Sequence, residues 1–241
     1  MNKFFYSLFA VIVLVASSCT KQYQIQGNST VKDLDGRMLF LKVVKDGALV
    51  SIDSCEVVHG KFKFSGKLDS VMMANLFMDE TSVMPLVVES GKISIQIDQA
   101  AQSVSGGHLN ECLYDFIHQK SLYDNLLAEL PHRESQMIMD GLDHDVILAE
   151  LNREAEALSK SSDSLVVDFI SRNFDNVLGP GVFMILTSAF PYPIITPQID
   201  SLMEMASDYF KNDAYVSEYM NVARENMEMM LSKQKQYLSS G

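Results

Sequence analysis

The sequence has 241 residues, of which 31 are acidic and 19 basic, so that the formal net charge at pH 7 is −12. This excess of acidic side chains argues against nucleic acid as a partner, because affinity for phosphate backbones comes mainly from Lys and Arg. The length is enough for one large domain or two small ones.

The N-terminal stretch MNKFFYSLFAVIVLVASS, residues 1–18, has the composition of a secretory signal peptide. Lys3 precedes a mostly apolar run, residues 4–15, and small residues follow. The run is shorter than the roughly 20 apolar residues of a membrane-spanning helix. Residues 16–19, ASSC, resemble a bacterial lipobox, which implies that residues 1–18 are removed and that Cys19 becomes the lipidated N-terminus.

Residues 19–22 are a predicted tether between that lipid and the folded chain. Thr20 stands where an Asp would resemble a signal for inner-membrane retention, and no acidic run follows Cys19. Acyl chains hold a protein to a bilayer without a membrane-spanning segment, at about 0.8 kcal/mol for each buried methylene. We therefore expect an outer-membrane lipoprotein that faces the periplasm and contacts the membrane through the lipid on Cys19.

Apolar residues alternate with polar ones from residue 23 to about residue 107, as in MLFLKVV, KFKFSG and KISIQID. A period of two with frequent turn signals predicts the strands of an antiparallel β-sandwich, residues 23–107, with a barrel as the alternative. Within it, VVHGKFKF predicts a hairpin whose turn is His59-Gly60, and VVESGKISI predicts a second hairpin with Ser90-Gly91 at the turn.

The period changes after residue 107, and residues 108–241 are predicted to form an all-α domain. Leu109, Leu113 and Phe116 begin an apolar stripe with steps of three and four, on a helix that we expect to end before Pro131. The further predicted helices are residues 134–160, 162–175, 181–190, 196–210 and 213–238. Thr196-Pro197 is a typical helix start, with a capping hydroxyl followed by a residue that needs no donor. The predicted fold class is α+β.

The stretches YQIQG, SIDSCEVVHGKFKFSG and VVESGKISIQI resemble a domain of unknown function that lies at the N-terminus of thioredoxin-like lipoproteins in one Gram-negative phylum. In those proteins the following helices lead into a thioredoxin-like domain, whose Cys-x-x-Cys carries out thiol-disulfide exchange. The present sequence ends at Gly241, and its cysteines are Cys19, Cys55 and Cys112, with no such pair. We therefore do not transfer the redox activity, and we expect no catalytic site.

Two alternatives remain for Cys55 and Cys112. In an oxidising compartment they could form a disulfide, or they could be separate buried thiols that behave as small apolar residues. His108 and Cys112 are four residues apart on a predicted helix, but zinc sites usually have three or four ligands and no second pair is present. We expect neither a metal nor a cofactor.

Asp140, Asp143, His144 and Asp145 form an acidic cluster that lacks the residue order of an EF-hand loop. A solvated turn that leads into the next helix is the preferred interpretation, and a calcium site is the alternative.

Residues 176–198 are apolar and rich in Pro and aromatic residues. They form either an exposed partner-binding patch, with Phe183, Phe190, Tyr192 and Ile194 as its anchors, or a segment buried between helices.

The sequence contains no Gly-rich phosphate loop, no Gly-x-Ser-x-Gly and no His-Glu-x-x-His. We therefore predict a non-catalytic, lipid-anchored binding or accessory module of the cell envelope, with an envelope protein as its partner. The alternative is an accessory of a thiol-disulfide exchange system that acts through Cys55 and Cys112.

Overall fold

A computed structural model describes residues 21–45 and 47–240. The predicted signal peptide, residues 1–18, and the predicted lipidation site, Cys19, lie outside the described residues. Eight strands come first and helices follow, in the α+β layout that the sequence predicts.

The strands are β1 (Gln22–Ser29), β2 (Met38–Lys45), β3 (Ala48–Glu56), β4 (Lys61–Lys67), β5 (Met72–Met78), β6 (Thr81–Val88), β7 (Gly91–Ile97) and β8 (Gln102–Ser105), with a short 3-10 helix at Lys32–Leu34. The helices are α1 (His108–Met139), α2 (His144–Arg172), α3 (Leu178–Thr187), α4 (Pro197–Met205), α5 (Asp208–Lys211) and α6 (Ala214–Ser240).

The strands form two sheets, a first sheet with the order β4-β1-β7-β8 and a second sheet with the order β3-β2-β5-β6. Every pair is antiparallel except β1–β7, which is parallel, so the prediction of a purely antiparallel arrangement was wrong at this pair. Parallel neighbours need a long crossover connection, and here the whole second sheet lies between β1 and β7 in the chain.

Both sheets contribute to one apolar cluster, as the alternating pattern predicts. Ile25, Phe64 and Ile95 of the first sheet and Leu41 and Leu76 of the second sheet are all buried in it. In the first sheet, their polar neighbours in sequence point to the outward face.

The chain turns at His59-Gly60, as predicted, but β3 and β4 lie in different sheets rather than in one hairpin. His59 and Gly60 have φ angles of 52° and 71°, and a single bridge between Val58 and Lys61 closes the turn. The backbone of Val57 instead donates to the Arg37 carbonyl and accepts from the Gly36 N–H. The chain before the turn therefore stays with β2, and β4 pairs with β1 after it.

The second predicted hairpin, at Ser90-Gly91, was wrong for the same reason, since β6 belongs to the second sheet and β7 to the first. The antiparallel neighbours that follow each other directly in the chain are β2 and β3, β5 and β6, and β7 and β8.

Helix α1 continues through Pro131 to Met139, which corrects the predicted end before the proline. An internal proline costs a helix about 3 kcal/mol. Two contacts of the distal half of α1 with α2 offset this cost. Leu130 packs with buried Ile147 and Leu151, and Arg133 forms an ion pair with Glu154.

The other helix boundaries follow local capping groups. Helix α2 is continuous over the break predicted near residue 161, and the chain turns earlier, at Gly141 with a φ of 79°. Thr196 caps α4 by accepting from the Ile199 N–H, as predicted. The predicted helix 196–210 is divided, because Ser207 caps a new helix, α5.

The helices pack around a second apolar cluster that includes Phe183, Phe210 and Val216. Val87 of β6 is buried in this cluster and Met73 of β5 packs against it, so the helices cover part of the outward face of the second sheet. Gly181 allows this approach, since a Cβ there would lie 2.8 Å from Cγ of Met73. Among the described helices, none is both long and apolar enough to cross a membrane.

Candidate functional sites: two thiols, a polar junction and a groove

A buried polar junction joins the end of β6 to the start of α1. The Asn110 side chain is fully buried, accepts from the Val87 N–H at 2.9 Å and donates to the Val87 carbonyl at 2.7 Å. Its amide thus replaces a strand partner for Val87. The Glu89 carboxylate accepts from the Asn110 side chain at 2.9 Å and from the Asn110 backbone N–H at 3.0 Å. Glu89 therefore caps a helix whose N-cap residue is Gly107.

One turn further along α1, Tyr114 extends the same connection. Its hydroxyl donates to the Pro85 carbonyl at 2.9 Å, and burial raises the pKa of this phenol. Asn110 and Tyr114 together satisfy backbone groups on the outer edge of β6, the last strand of the second sheet. Helix α1 therefore protects an edge that would otherwise be open to another strand.

Cys112 lies in the first turns of α1, between these two residues. Its Sγ is 3.9 Å from Nε2 of His108, so the structure brings this sequence-predicted pair together. Burial and the nearby carboxylates of Asp115, Glu111 and Glu89 raise the pKa of the Cys112 thiol. The thiolate is the reactive form of cysteine, and its fraction at neutral pH falls as the pKa rises.

Cys55 lies on β3 at the corner where the two sheets meet. Burial raises the pKa of its thiol, a hydrogen bond from the Lys63 backbone lowers it, and the Asp53 carboxylate raises it. Asp53 accepts from the Ser65 backbone N–H at 3.2 Å and from the Tyr23 hydroxyl at 3.3 Å. Side chains of β3 thus bond to the open edge of β4 and link the sheets.

The two thiols lie in separate parts of the fold. Cys55 packs against the cluster between the sheets, and Cys112 packs against the cluster of the helices. Both are free cysteines.

The acidic cluster at residues 140–145 forms the turn between α1 and α2, which is the preferred interpretation from the sequence. Asp143 is the N-cap of α2 and accepts from the Asp145 N–H at 3.0 Å. Within residues 21–45 and 47–240, no three His, Cys, Asp or Glu side chains come together as ligands for a metal ion.

The predicted partner-binding patch is mostly buried. Phe183 is fully inaccessible and packs edge-on against Phe210 and Tyr219. Phe190 and Ile194 are half-buried, and the Ile194 backbone exchanges two hydrogen bonds with the Tyr219 hydroxyl. Only Tyr192 of the four predicted anchors is exposed. Phe183 therefore belongs to the core and cannot serve as a surface anchor.

An apolar groove of about 500 Å³ lies where the second sheet meets α3, α5 and α6. Its walls include Val44, Leu49, Val71, Met72, Met73 and Asn75 from the sheet side and Pro180, Met184, Tyr209, Tyr215 and Glu218 from the helical side. Leu49 and Val44 have 48% and 40% of their surface exposed, although both are apolar. Asp213 and Glu218 line the groove, and no Lys or Arg of the described part of the chain does.

Sequence reasoning missed the groove and the polar junction. The groove is assembled from six separate elements, β2, β3, β5, α3, α5 and α6, which no local pattern connects. The sequence offers one weak signal of the junction. Asn110 lies two residues after the start of a helix that has no capping side chain of its own.

No curated protein and no solved structure matches the chain. Residues 23–113 match the model of a protein family described as a domain of unknown function, DUF4369. The match covers all of β2 to β8 and nearly all of β1, and it extends into α1 beyond Asn110, so it includes both sides of the polar junction. The resemblance of this part of the chain to a domain of unknown function is thus confirmed.

Proposed function

We propose that the protein is a non-catalytic binding or accessory module of the cell envelope, held by a lipid on Cys19 in the outer membrane and facing the periplasm. Support for the anchor comes from the resemblance of residues 16–19 to a lipobox. The sheets act as a β-sandwich domain, residues 23–107, and residues 108–241 as a helical domain. The single apolar cluster that both sheets share supports the sandwich.

The state of the thiols supports a non-catalytic role. Cys55 and Cys112 are both free, their pKa values are raised, and they pack against different clusters. Redox dithiols work through a low-pKa thiolate next to a resolving partner. The alternative, thiol exchange through Cys55 and Cys112, would be supported by disulfide reductase activity that is lost in Cys55→Ser or Cys112→Ser.

The groove is the observation that carries the binding role. When a partner covers exposed apolar side chains such as Leu49, the burial stabilises the complex by about 25 cal/mol per Å² of apolar surface. Met72, Met73 and Met184 are flexible and can adapt to a ligand. The carboxylate of Glu218 at the wall favours a cation. The ligand is therefore an extended protein segment with large apolar side chains and a Lys or Arg, contributed by an envelope partner.

Peptide selection tests this role. Peptides selected from a random library on the full chain should share large apolar residues and at least one basic residue. Glu218→Lys should weaken their binding at least tenfold, because it reverses an exposed charge on the groove wall. The matched control is Glu228→Lys, an exposed position on α6 outside the groove, which should change the binding less than twofold. Selected peptides that bind Glu218→Lys as tightly as the unmodified chain would contradict the proposal.

A further inference from the structure

The outward face of the first sheet carries a polar, positively charged surface. Alternation along the strands places Lys61, Lys63 and Lys67 of β4 on this side, together with Lys92 of β7, and all four are exposed. We call these residues and their outward-facing neighbours the lysine face.

Strand register puts amide side chains beside the lysines. Gln22 pairs with Lys67, Gln26 with Lys63, Asn28 with Lys61 and Gln24 with Lys92. Ser65, Ser94, Ser103 and Ser105 supply hydroxyl groups on the same side. The outward positions of these four described strands include no acidic side chain and no large apolar one.

The charge of this face is opposite to that of the chain, whose formal net charge is −12. None of the four lysines forms an ion pair with any residue that the structure describes. Described acidic side chains lie at the borders of the face. Asp53 of β3 accepts from the Ser65 N–H at the edge of β4, Glu56 lines the same shallow concavity as Lys61 and Lys63, and Asp98 follows the end of β7.

Local charge dominates here because salt screens distant charge. The Debye length is about 8 Å at physiological ionic strength. Neighbouring strands are about 4.8 Å apart, and alternate residues on one strand are about 6.7 Å apart. A ligand on this face therefore experiences several lysines together, whereas the acidic residues of the helices are largely screened.

The composition of the face selects among anionic partners. Lipid bilayers and protein interfaces usually require apolar or aromatic anchors, which the outward positions of these strands do not provide. Gln, Asn and Ser side chains both donate and accept hydrogen bonds, as the hydroxyl groups of a sugar chain do. We propose that the lysine face binds an anionic polysaccharide, with ammonium groups on its carboxylates and with amides and serines on its hydroxyls. This surface is separate from the groove, so the inference goes beyond the proposed function.

Titration calorimetry of the full chain with polygalacturonate, a regular anionic polysaccharide, tests the inference. We expect saturable binding that weakens as salt increases, and no binding of the uncharged polysaccharide dextran. The combined change Lys61→Gln, Lys63→Gln and Lys92→Gln should weaken binding at least tenfold. The control is Lys160→Gln, Lys211→Gln and Lys233→Gln, which removes the same charge from exposed helical positions and should change binding less than twofold.

Three outcomes would overturn the inference. The first is no binding of polygalacturonate by the unmodified chain. The second is an equal loss in both triple variants, which would show an effect of net charge alone. The third is tighter binding to phosphatidylglycerol vesicles than to polygalacturonate, again lost in the lysine-face variant, which would assign the face to lipid headgroups. Unchanged circular dichroism of both variants would exclude misfolding, and the groove can be tested separately through Glu218.

Discussion

Asn110 is the residue on which the attachment of the helices to the sheets depends most directly. Its amide makes two hydrogen bonds to the Val87 backbone and one to Glu89. The two bonds to Val87 are buried, and the bond to Glu89 is partly buried. A buried backbone group without a partner costs about 1–3 kcal/mol. The Asn110 side chain therefore stabilises the fold mainly by giving the backbone groups of β6 their hydrogen-bond partners.

Replacement of Asn110 by Ala should lower the free energy of unfolding by about 2–4 kcal/mol, because both backbone groups of Val87 lose their partner. Urea denaturation followed by circular dichroism measures the change. Asn125→Ala, at an exposed position of the same helix, should lower the free energy by no more than about 0.5 kcal/mol. Equal effects of the two substitutions would show that the junction adds nothing to stability.

The two thiols show how neighbours set the chemistry of a residue. Burial makes the largest contribution to the raised pKa at both Cys55 and Cys112, and carboxylates raise it further. Both groups therefore carry less thiolate at pH 7 than an ordinary cysteine, which opposes a role as nucleophile.

At the scale of elements, the sequence predicts local geometry better than strand pairing. His59-Gly60 and Ser90-Gly91 are turns, as their residue types indicate, yet both join strands of different sheets. A turn motif fixes the dihedral angles of a few residues, whereas pairing depends on which strand edges are free nearby. Val57 remains bonded to Arg37 and Gly36, and this contact is invisible in a pattern of alternation.

Some helix ends are set by local residues and can be predicted from the sequence, whereas others depend on tertiary packing and cannot. Thr196-Pro197 begins a helix as predicted, because the capping group and the proline act within one turn. Pro131 does not end α1, because packing on α2 more than 15 residues away stabilises the helix beyond it. The burial of Phe183 likewise comes from rings of α5 and α6 that no local pattern reveals.

Replacement of Pro131 by Ala should raise the free energy of unfolding by about 1–3 kcal/mol, because the helix regains a backbone donor and loses a steric clash. Amide hydrogen exchange should also slow in the segment 128–139. Pro197→Ala is the matched control, since the first position of α4 needs no donor, and it should bring no gain. If Pro131→Ala brought no gain either, the compensation that we assign to α2 would be wrong.

At the scale of the molecule, charge and apolar surface are segregated. The groove lies on the outward face of the second sheet and carries acidic residues, whereas the lysine face lies on the first sheet. The overall acidity of the sequence predicts poor binding of nucleic acid, but the net charge does not reveal that one sheet carries a basic surface. The alternation of KFKFSGK, in which the intervening phenylalanines are buried, was the signal from which this surface could have been predicted.

The central claim, a lipid-anchored module with inert thiols, is tested most directly by the intact mass of the mature protein from native membranes. Free thiols are alkylated first, and the mass is measured with and without reduction. The account predicts an acyl mass on Cys19 and alkylation of both Cys55 and Cys112 without reduction. A mature protein without an acyl group, cysteines that are alkylated only after reduction, or a mass that includes a second protein joined through sulfur would contradict it.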